Sequence, residues 1–378
     1  MKLLICASEY YPHGAGIANV AYYIVSQLQK MGVSCTVCSP TGPDIMLGSS
    51  SMIAKYGRLG LLYYWHQVSR YFRQRHENYE VVWLHNPLFI QNNPLQKSLI
   101  TIHTTSHEKT ASKSCPPHLH LYYKTSSIIE KHRLTRNGLN SARFTAVSPH
   151  VLEELAEIGI EQERITYIPN GVDTERFKPS TNKKELRKKF DLPENELILL
   201  SMGKIAERKQ PNKLIEVFSL IEKSTKEVTL VLGGDGELLG KTKRLAQKKG
   251  LTNVIFLGYV DHKKEAPDLY ACSDYYIMTS KWEGQPLTLL EAMASGLPCI
   301  VSDIPALKIV EEAKCGIVAN FSNVEAAANQ LVEYIGRDNY SHSTNARDYV
   351  VRNFNWEIIA NRYLEEFERL RVENEEKR

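Results

Sequence analysis

Ser280-Lys-Trp-Glu283-Gly284-Gln285-Pro286-Leu287-Thr-Leu-Leu-Glu291-Ala-Met-Ala-Ser-Gly296-Leu-Pro298 reads as a strand end, a tight loop, a helix and the approach to the next strand. Pro286 suits the first helical position, where a missing N–H loses no bond. Gly296 suits a left-handed cap, and Pro298 prevents continuation of the helix. Apolar runs flank it, Tyr275–Thr279 before and Pro298–Ser302 after. Strand, helix, strand over so short a span implies parallel strands joined by a crossover. The N–H groups of Gly284–Leu287 point out of the helix start, a place for an anion or for hydroxyls. Glu283 precedes them and Glu291 lies within the helix. Two carboxylates beside these amides could accept several hydrogen bonds from one polyol. The plainer alternative is a capping acid and an exposed helix glutamate.

The same alternation extends outward. Leu197–Gly203, Val228–Gly233 and Val254–Leu257 read as strands; Lys213–Lys223, Leu238–Gly250, Lys263–Ala271 and Pro286–Ser295 read as helices. An earlier series comprises strands Lys2–Ala7, Ser34–Ser39, Val81–His85, Ser98–His103 and Arg143–Val147, with helices such as Ala18–Met31 between them. Two series predict two doubly wound α/β domains. Between them Ile165-Thr-Tyr-Ile-Pro169 reads as a strand ending on a proline, Asn170-Gly171 then offers a turn, and a charged stretch runs from Lys178 to Glu196. The expected division is 1–170 and 171–355, with a hinge near 169–180. Ile358, Ile359, Tyr363, Leu364, Phe367 and Leu370 recur at helical spacing, so 356–372 is expected to be a helix that crosses the boundary and completes the first domain. Ligands of open α/β sheets bind beyond the carboxyl ends of the strands, so the site is expected in a cleft between the domains.

Composition narrows the class. Of 378 residues, 43% are hydrophobic and 24% charged, which excludes disorder for the bulk of the chain. No apolar run approaches the roughly 18–20 residues that span a bilayer. Met1–Tyr10 reads as a buried strand rather than a signal peptide, so a cytoplasmic location is expected. Of the seven cysteines only Cys35 and Cys38 form a C-x-x-C, inside a strand and with no second pair for zinc. Residues 1–150 hold 15 Lys and Arg against 6 Asp and Glu, a net of +9; the remainder holds 32 against 37, a net of −5. The first half is therefore expected either to face something anionic or to carry an incidental excess.

Several smaller features stand at strand ends. Gly14 and Gly16 fall in a loop after the first strand, too far from it for the tight turn of a dinucleotide fingerprint. They either bring backbone close to a ligand or form a bare loop. His103 ends a strand. Lys204 and Lys209 flank a strand-to-helix loop and, being expected on the surface, either bind phosphate or are simply solvated. Gly234 and Gly236 either approach a ligand or only make a turn.

These strings jointly resemble the retaining glycosyltransferases of group 1, with their E-x7-E signature at Glu283 and Glu291. Pro12–Ala18 resembles the family's glycine-bearing loop, and Thr101-Ile102-His103 its strand-end histidine. Ala146-Val147-Ser148, Ile168–Asp173, Ser201–Lys209, Gly233–Gly236 and Phe354-Asn355-Trp356 resemble its further strings in order. The resemblance implies the GT-B fold, with two facing Rossmann-like domains, the acceptor side N-terminal and the donor side C-terminal. It implies retaining, metal-independent transfer from a UDP-, GDP- or ADP-sugar to an acceptor hydroxyl, with no cofactor. The acceptor would be a glycan or lipid-linked sugar, as in glycolipid or cell-surface polysaccharide synthesis.

The implied catalytic residues are His103, Lys204, Lys209 and Glu283. The implied donor-binding residues are Gly14, Gly16, Gly234, Gly236, Gly284, Gln285, Pro286, Leu287 and Glu291; no metal ligand and no nucleic-acid partner are implied. Glu291 would hold the ribose diol, Glu283 the sugar ring, and the lysines the diphosphate. The base would be read by backbone groups near Gly258–Asp261. Three departures stand out. Lys204 replaces an arginine and cannot form its fork. Gln285 replaces an aromatic, and Ser302–Ile309 lacks a terminal glutamate. Rival readings are a sugar-nucleotide epimerase of the same architecture and a non-catalytic nucleotide-sugar sensor. An oxidoreductase would need an acid ending the second strand, where Cys38-Ser39-Pro40 stands instead.

Residues 55–76 interleave Tyr63, Tyr64, Trp65, Val68, Tyr71 and Phe72 with five bases and no acid. Residues 109–143 add seven bases against Glu130. One expectation is docking on an anionic membrane, with rings at the headgroup level. The other is an apolar core stripe with a solvated basic face.

Overall fold

The computed structural model describes residues 1–12, 16–75, 78–88, 98–105, 117–135, 142–225 and 227–375. Gly14 lies outside the described residues, as do Lys109, Lys113 and Arg136 of the basic stretches. Two compact units result: Met1–Gly171 with Trp356–Arg378, and Val172–Asn355.

The first unit is built on a seven-stranded sheet: β1 (Lys2–Cys6), β2 (Ser34–Ser39), β3 (Ile45–Met46), β4 (Val81–His85), β5 (Ser98–Ile102), β6 (Arg143–Ala146) and β7 (Ile165–Tyr167). Their order is β3-β2-β1-β4-β5-β6-β7, and every pairing is parallel. Parallel strands are covered on both faces, which is why β4 and β5 are buried at every residue and are mostly apolar. β3 has only two residues, too few for any pattern; Asp44 holds its approach by accepting the Val37 N–H at 2.7 Å.

Helix α1 (Gly16–Lys30) buries Ala18, Ala21, Ile24, Val25 and Leu28, an i, i+3, i+4 stripe. The basic stretch splits at Gly57, φ 52°, into α2 (Ser50–Tyr56) and α3 (Arg58–Arg75). Tyr64, Trp65, Val68 and Phe72 are fully buried with Leu4, Cys6, Val82 and Leu84. These four α3 side chains follow the core-stripe expectation, since burying them in the core outweighs exposing them, whereas Tyr63 is exposed and Tyr71 half-buried. Lys55, Arg70, Arg73 and Arg75 form the solvated face. Two further helices, α4 (Pro117–Thr135) and α5 (Pro149–Ile158), complete the run before β7.

The second unit opens with α6 (Lys183–Lys189), inside the charged stretch. Arg187 is buried there because its guanidinium meets the Asp274 carboxylate at 2.5 Å and three backbone carbonyls at 2.9–3.0 Å. Six parallel strands follow: β8 (Leu197–Met202), β9 (Val228–Gly233), β10 (Val254–Gly258), β11 (Tyr275–Met278), β12 (Cys299–Ser302) and β13 (Gly316–Ala319). Their order is β10-β9-β8-β11-β12-β13. The helices are α7 (Pro211–Ser224), α8 (Leu239–Lys248), α9 (Ala266–Cys272), α10 (Leu287–Ala294), α11 (Ile309–Glu312), α12 (Val324–Ile335) and α13 (Tyr340–Asn353).

Pro286 is not the first residue of α10. It is the N-cap, in extended backbone at ψ 122°, and Leu287 opens the helix. Gly296 takes the left-handed conformation, φ 72°, as its sequence context predicts. The final helix, α14 (Trp356–Glu375), packs within the first unit. Trp356 stacks on Tyr23 with ring centroids 5.3 Å apart, and Tyr363 lies 4.8 Å from Trp83. A Cβ on Gly171 would stand 2.4 Å from the Trp356 ring, so only glycine admits this approach.

Candidate active site

In the second unit the strand order reverses between β8 and β11, the point where open α/β sheets bind ligands. The loops that leave these two strands are tied together. Thr279 Oγ1 donates to Lys209 O at 2.8 Å, and Lys281 N donates to Arg208 O at 2.8 Å. Gln210 turns the chain in the left-handed region, φ 49°, so that Pro211 can open α7. An open hollow of about 330 Å³ lies here, lined by Gly203, Lys204, Lys209, Met278 and Thr279 among others.

Glu283 is buried beneath these loops, 6% exposed. Its Oε1 accepts Ser280 Oγ at 2.8 Å and Lys209 Nζ at 2.8 Å, and the Arg208 guanidinium contacts the same oxygen. Burial pushes the Glu283 carboxyl up, but the Lys209 and Arg208 charges and the hydrogen bonds from Lys209 and Ser280 outweigh it and hold it below the ordinary value. Burial, reinforced by Arg208, pulls the Lys209 ammonium down against the pull of Glu283. Lys209 is thus not the surface residue its sequence context suggests, because the buried carboxylate requires a partner. Lys204 is: its side chain is 69% exposed, with Nζ 3.6 Å from Glu237 and apart from the Glu283 cluster.

Glu291 is buried in α10, 4% exposed. Its Oε1 stands 2.6 Å from His262 Nε2, and its Oε2 accepts the Tyr270 hydroxyl at 3.1 Å. Burial lowers the His262 pKa, but the charge and hydrogen bond of Glu291 outweigh it, and the net shift is upward. The N-cap Pro286 offers no side-chain hydrogen bond to the start of α10; Gly284 and Pro286 are buried there, Gln285 and Leu287 half-buried.

Gly234 and Gly236 have packing reasons to be glycine. At φ 136°, a Cβ on Gly234 would stand 2.0 Å from Gly203 O, and one on Gly236 would stand 2.5 Å from Ile205 O. Both glycines hold the loop after β9 against the Lys204 loop. Gly258, φ 71°, ends β10 and accepts the Gly234 N–H at 2.6 Å.

Two expected residues belong to the first unit. Gly16 opens α1, and a Cβ there would meet nothing within 4 Å. His103 follows β5, with Nε2 3.1 Å from His85 Nδ1. The cluster thus joins Glu283 to Lys209 and places Glu291 in the same unit, while Lys204 stays outside. Sequence reasoning missed Arg208, Ser280, His262 and Tyr270. Arg208 had a signal, lying beside Lys209 in a string already singled out. His262 had none, being far from Glu291 in sequence.

Two family models match this chain: "Glycosyl transferases group 1" over residues 182–349 and "Glycosyltransferase Family 4" over residues 14–176. The chain belongs to the group 1 glycosyltransferases. A UDP-Gal:alpha-D-GlcNAc-diphosphoundecaprenol alpha-1,3-galactosyltransferase of Escherichia coli is 32% identical over 212 residues, 53% of each chain. An alpha-galactosylglucosyldiacylglycerol synthase of Streptococcus pneumoniae is 28% identical over 198 residues, 50% of this chain and 51% of that one. The chain spans about half the length of the curated relatives it matches. Anabaena HepE, solved in complex with UDP and glucose, superposes with a TM-score of 0.75 at 16% identity, covering 97% of this chain and 99% of that one. This group 1 chain therefore has the GT-B fold, with a parallel sheet in each of its two units.

The Glu283 cluster sets a pH dependence. A carboxyl held below its ordinary value of 4.5 contributes stability that is present above that value and lost as pH falls through the folded one. Lys209→Ala should lower stability at pH 7 by about 1–3 kcal/mol, less than for a lone buried pair because Arg208 remains. Lys204→Ala should be within about 0.5 kcal/mol of the parent. In urea titrations the Lys209→Ala deficit should narrow below pH 4.5; an equal deficit at both pH values would remove Glu283 as its cause.

Proposed function

We propose that this chain transfers a sugar from a nucleotide-diphosphate sugar to an acceptor hydroxyl, with retention of configuration and without a metal. The observation that carries this reading is the Glu283 carboxylate buried under Lys209 and Arg208 at the sheet's reversal point. A departing diphosphate gathers negative charge, which Lys209, Arg208 and the Gly284–Leu287 amides would meet. Arg208 offers the planar fork that Lys204 lacks, leaving Lys204 a secondary, solvent-side charge. Glu283 would hold the sugar ring once the two cations turn toward phosphate, with Gln285 and Pro286 beside it. Glu291 would accept the ribose diol through its remaining lone pairs, held in place by His262 and Tyr270. Gly234 and Gly236 would shape the loop beside the diphosphate, Gly16 at the start of α1, with Gly14 before it in sequence, would bring backbone close to the donor, and His103 would contact a sugar hydroxyl. Attack by the acceptor on the leaving-group face lets the diphosphate help remove the proton.

The acceptor in this proposal is a lipid-linked sugar or glycolipid. Relatives named for diphosphoundecaprenol and diacylglycerol acceptors support this. No helix among the described residues is long and apolar enough to cross a membrane. A peripheral contact from the cytoplasmic face would use the solvated side of α2 and α3. Lys55, Arg70, Arg73 and Arg75 are exposed there, as are Tyr56, Leu59 and Tyr63.

Glu291→Gln removes the charge and one of the two acceptor oxygens offered to the ribose diol while keeping the side chain's shape. Calorimetric titration with the sugar nucleotide that gives the largest thermal shift among UDP-, GDP- and ADP-sugars should show affinity reduced about tenfold or more, a charged hydrogen bond being worth roughly 1.5–3 kcal/mol. EDTA should leave the parent's affinity and turnover unchanged. Undiminished affinity in folded Glu291→Gln would take Glu291 out of the donor site, and turnover lost to EDTA and restored by magnesium would overturn the metal-free step.

For the membrane contact, sedimentation with anionic vesicles should fall as salt rises and fall again when Arg70, Arg73 and Arg75 become Gln. Equal recovery with anionic and neutral vesicles at low salt would point to a soluble acceptor.

A further inference from the structure

In the first unit the strand order reverses between β1 and β4, and β4 ends on His85. The neighbouring β5 runs out into His103. The two imidazoles lie nearly parallel, with planes 16° apart and centroids separated by 5.4 Å, and His85 Nδ1 stands 3.1 Å from His103 Nε2. Both residues are buried, 1% and 7% exposed.

The strand ends that carry them are stapled together. Asn86 takes a left-handed backbone, φ 43°. Its N–H donates to Thr101 O at 2.9 Å, and its Oδ1 accepts the His103 N–H at 2.9 Å. Trp83 closes the other side of His85, with ring centroids 4.1 Å apart, and its own indole N–H is committed to Thr101 Oγ1.

One atom decides where the protons sit. His85 Nε2 is buried and has no hydrogen-bond partner among the described residues. A proton there would be a buried donor with nothing to receive it, whereas a bare nitrogen leaves only an unused lone pair. The proton of neutral His85 therefore belongs on Nδ1. One N–H fits between Nδ1 of His85 and Nε2 of His103, so His103 Nε2 is the acceptor. The proton of His103 must then be on Nδ1. Burial also keeps both rings neutral: it pushes His103 down to about 4, and His85, with His103 beside it, well below its ordinary value.

We propose that His85 is a positioning residue, whose Nδ1–H fixes His103 as the Nδ1-protonated tautomer and so presents a neutral N–H donor for a sugar hydroxyl. The hydroxyl as ligand rests on the sugar transfer proposed above; the tautomer does not. The chemistry complements the second unit. Its cations suit a diphosphate, while a neutral imidazole donor can serve a hydroxyl without burying a further charge.

The full chain labelled with 15N-histidine tests this by long-range proton–nitrogen correlation at pH 7. His103 should be neutral, protonated on Nδ1 and bare on Nε2; a proton on Nε2, or a charged ring, overturns the proposal. His85→Asn keeps an N–H donor near the Nδ1 position and should retain both the His103 tautomer and kcat/KM within about threefold. His85→Leu removes the donor and should lower kcat/KM about five- to tenfold, the value of one hydrogen bond, with the melting curve confirming a folded chain. Equal kcat/KM in all three proteins also overturns it. A parent protein that turns over no sugar nucleotide would mark failure of the transfer reading instead, and the spectrum then decides the tautomer alone.

Discussion

A carboxylate cannot be taken out of water without opposite charge at hand, and Glu283 is taken almost wholly out of water. That constraint organises the carboxyl edge of the second sheet. It draws Lys209 inward although burial disfavours its charge, and it brings Arg208 to the same oxygen. For both cations to arrive, the loop after β8 must fold back over the loop after β11. The bonds from Thr279 and Lys281 to the carbonyls of Lys209 and Arg208 secure that return. Gln210 then accepts a left-handed backbone so that α7 can begin. The result is a pair of cations held near a carboxylate and available to a more strongly charged anion.

Each unit uses its reversal point differently. The second collects two cations around a buried carboxylate, with Lys209 also lining an open hollow. The first collects two neutral imidazoles in a dry setting, stapled by Asn86. Phosphate chemistry and hydroxyl recognition call for these opposite environments, one charged and one neutral. Glu291 represents a third arrangement, a buried carboxylate whose two oxygens are engaged by His262 and Tyr270, which fixes its orientation within α10.

Much of this was legible in the sequence. Both sheets announce themselves because parallel strands are covered on both faces and are rich in apolar and β-branched residues. Gly296 and the tail spacing of Ile359, Tyr363, Phe367 and Leu370 were equally plain. Two elements were not: β3 contains only two residues, and the first three of β13's four residues are only half-buried. Pro286 was placed one residue too far into its helix, since proline's fixed φ is compatible with both the cap and the first turn. The aromatic stripe of α3 could be read as core or as membrane anchor, because both bury apolar rings and only the fold supplies the partner surface. The pairing of Arg208, rather than Lys204, with Glu283 depends on how a loop closes. So does the meeting of His262 with Glu291, and no local pattern encodes such closure.

The role assigned to the Glu283 cations is tested most directly by calorimetric titration of UDP and GDP into the parent protein, Arg208→Ala and Lys204→Ala. A nucleoside diphosphate alone engages the phosphate-binding groups without requiring turnover. Loss of a charged hydrogen bond in Arg208→Ala should weaken the preferred diphosphate about tenfold or more, while Lys204→Ala should stay within about threefold. The reverse order, or diphosphate binding indifferent to both substitutions, would contradict a site built around the buried Glu283 carboxylate.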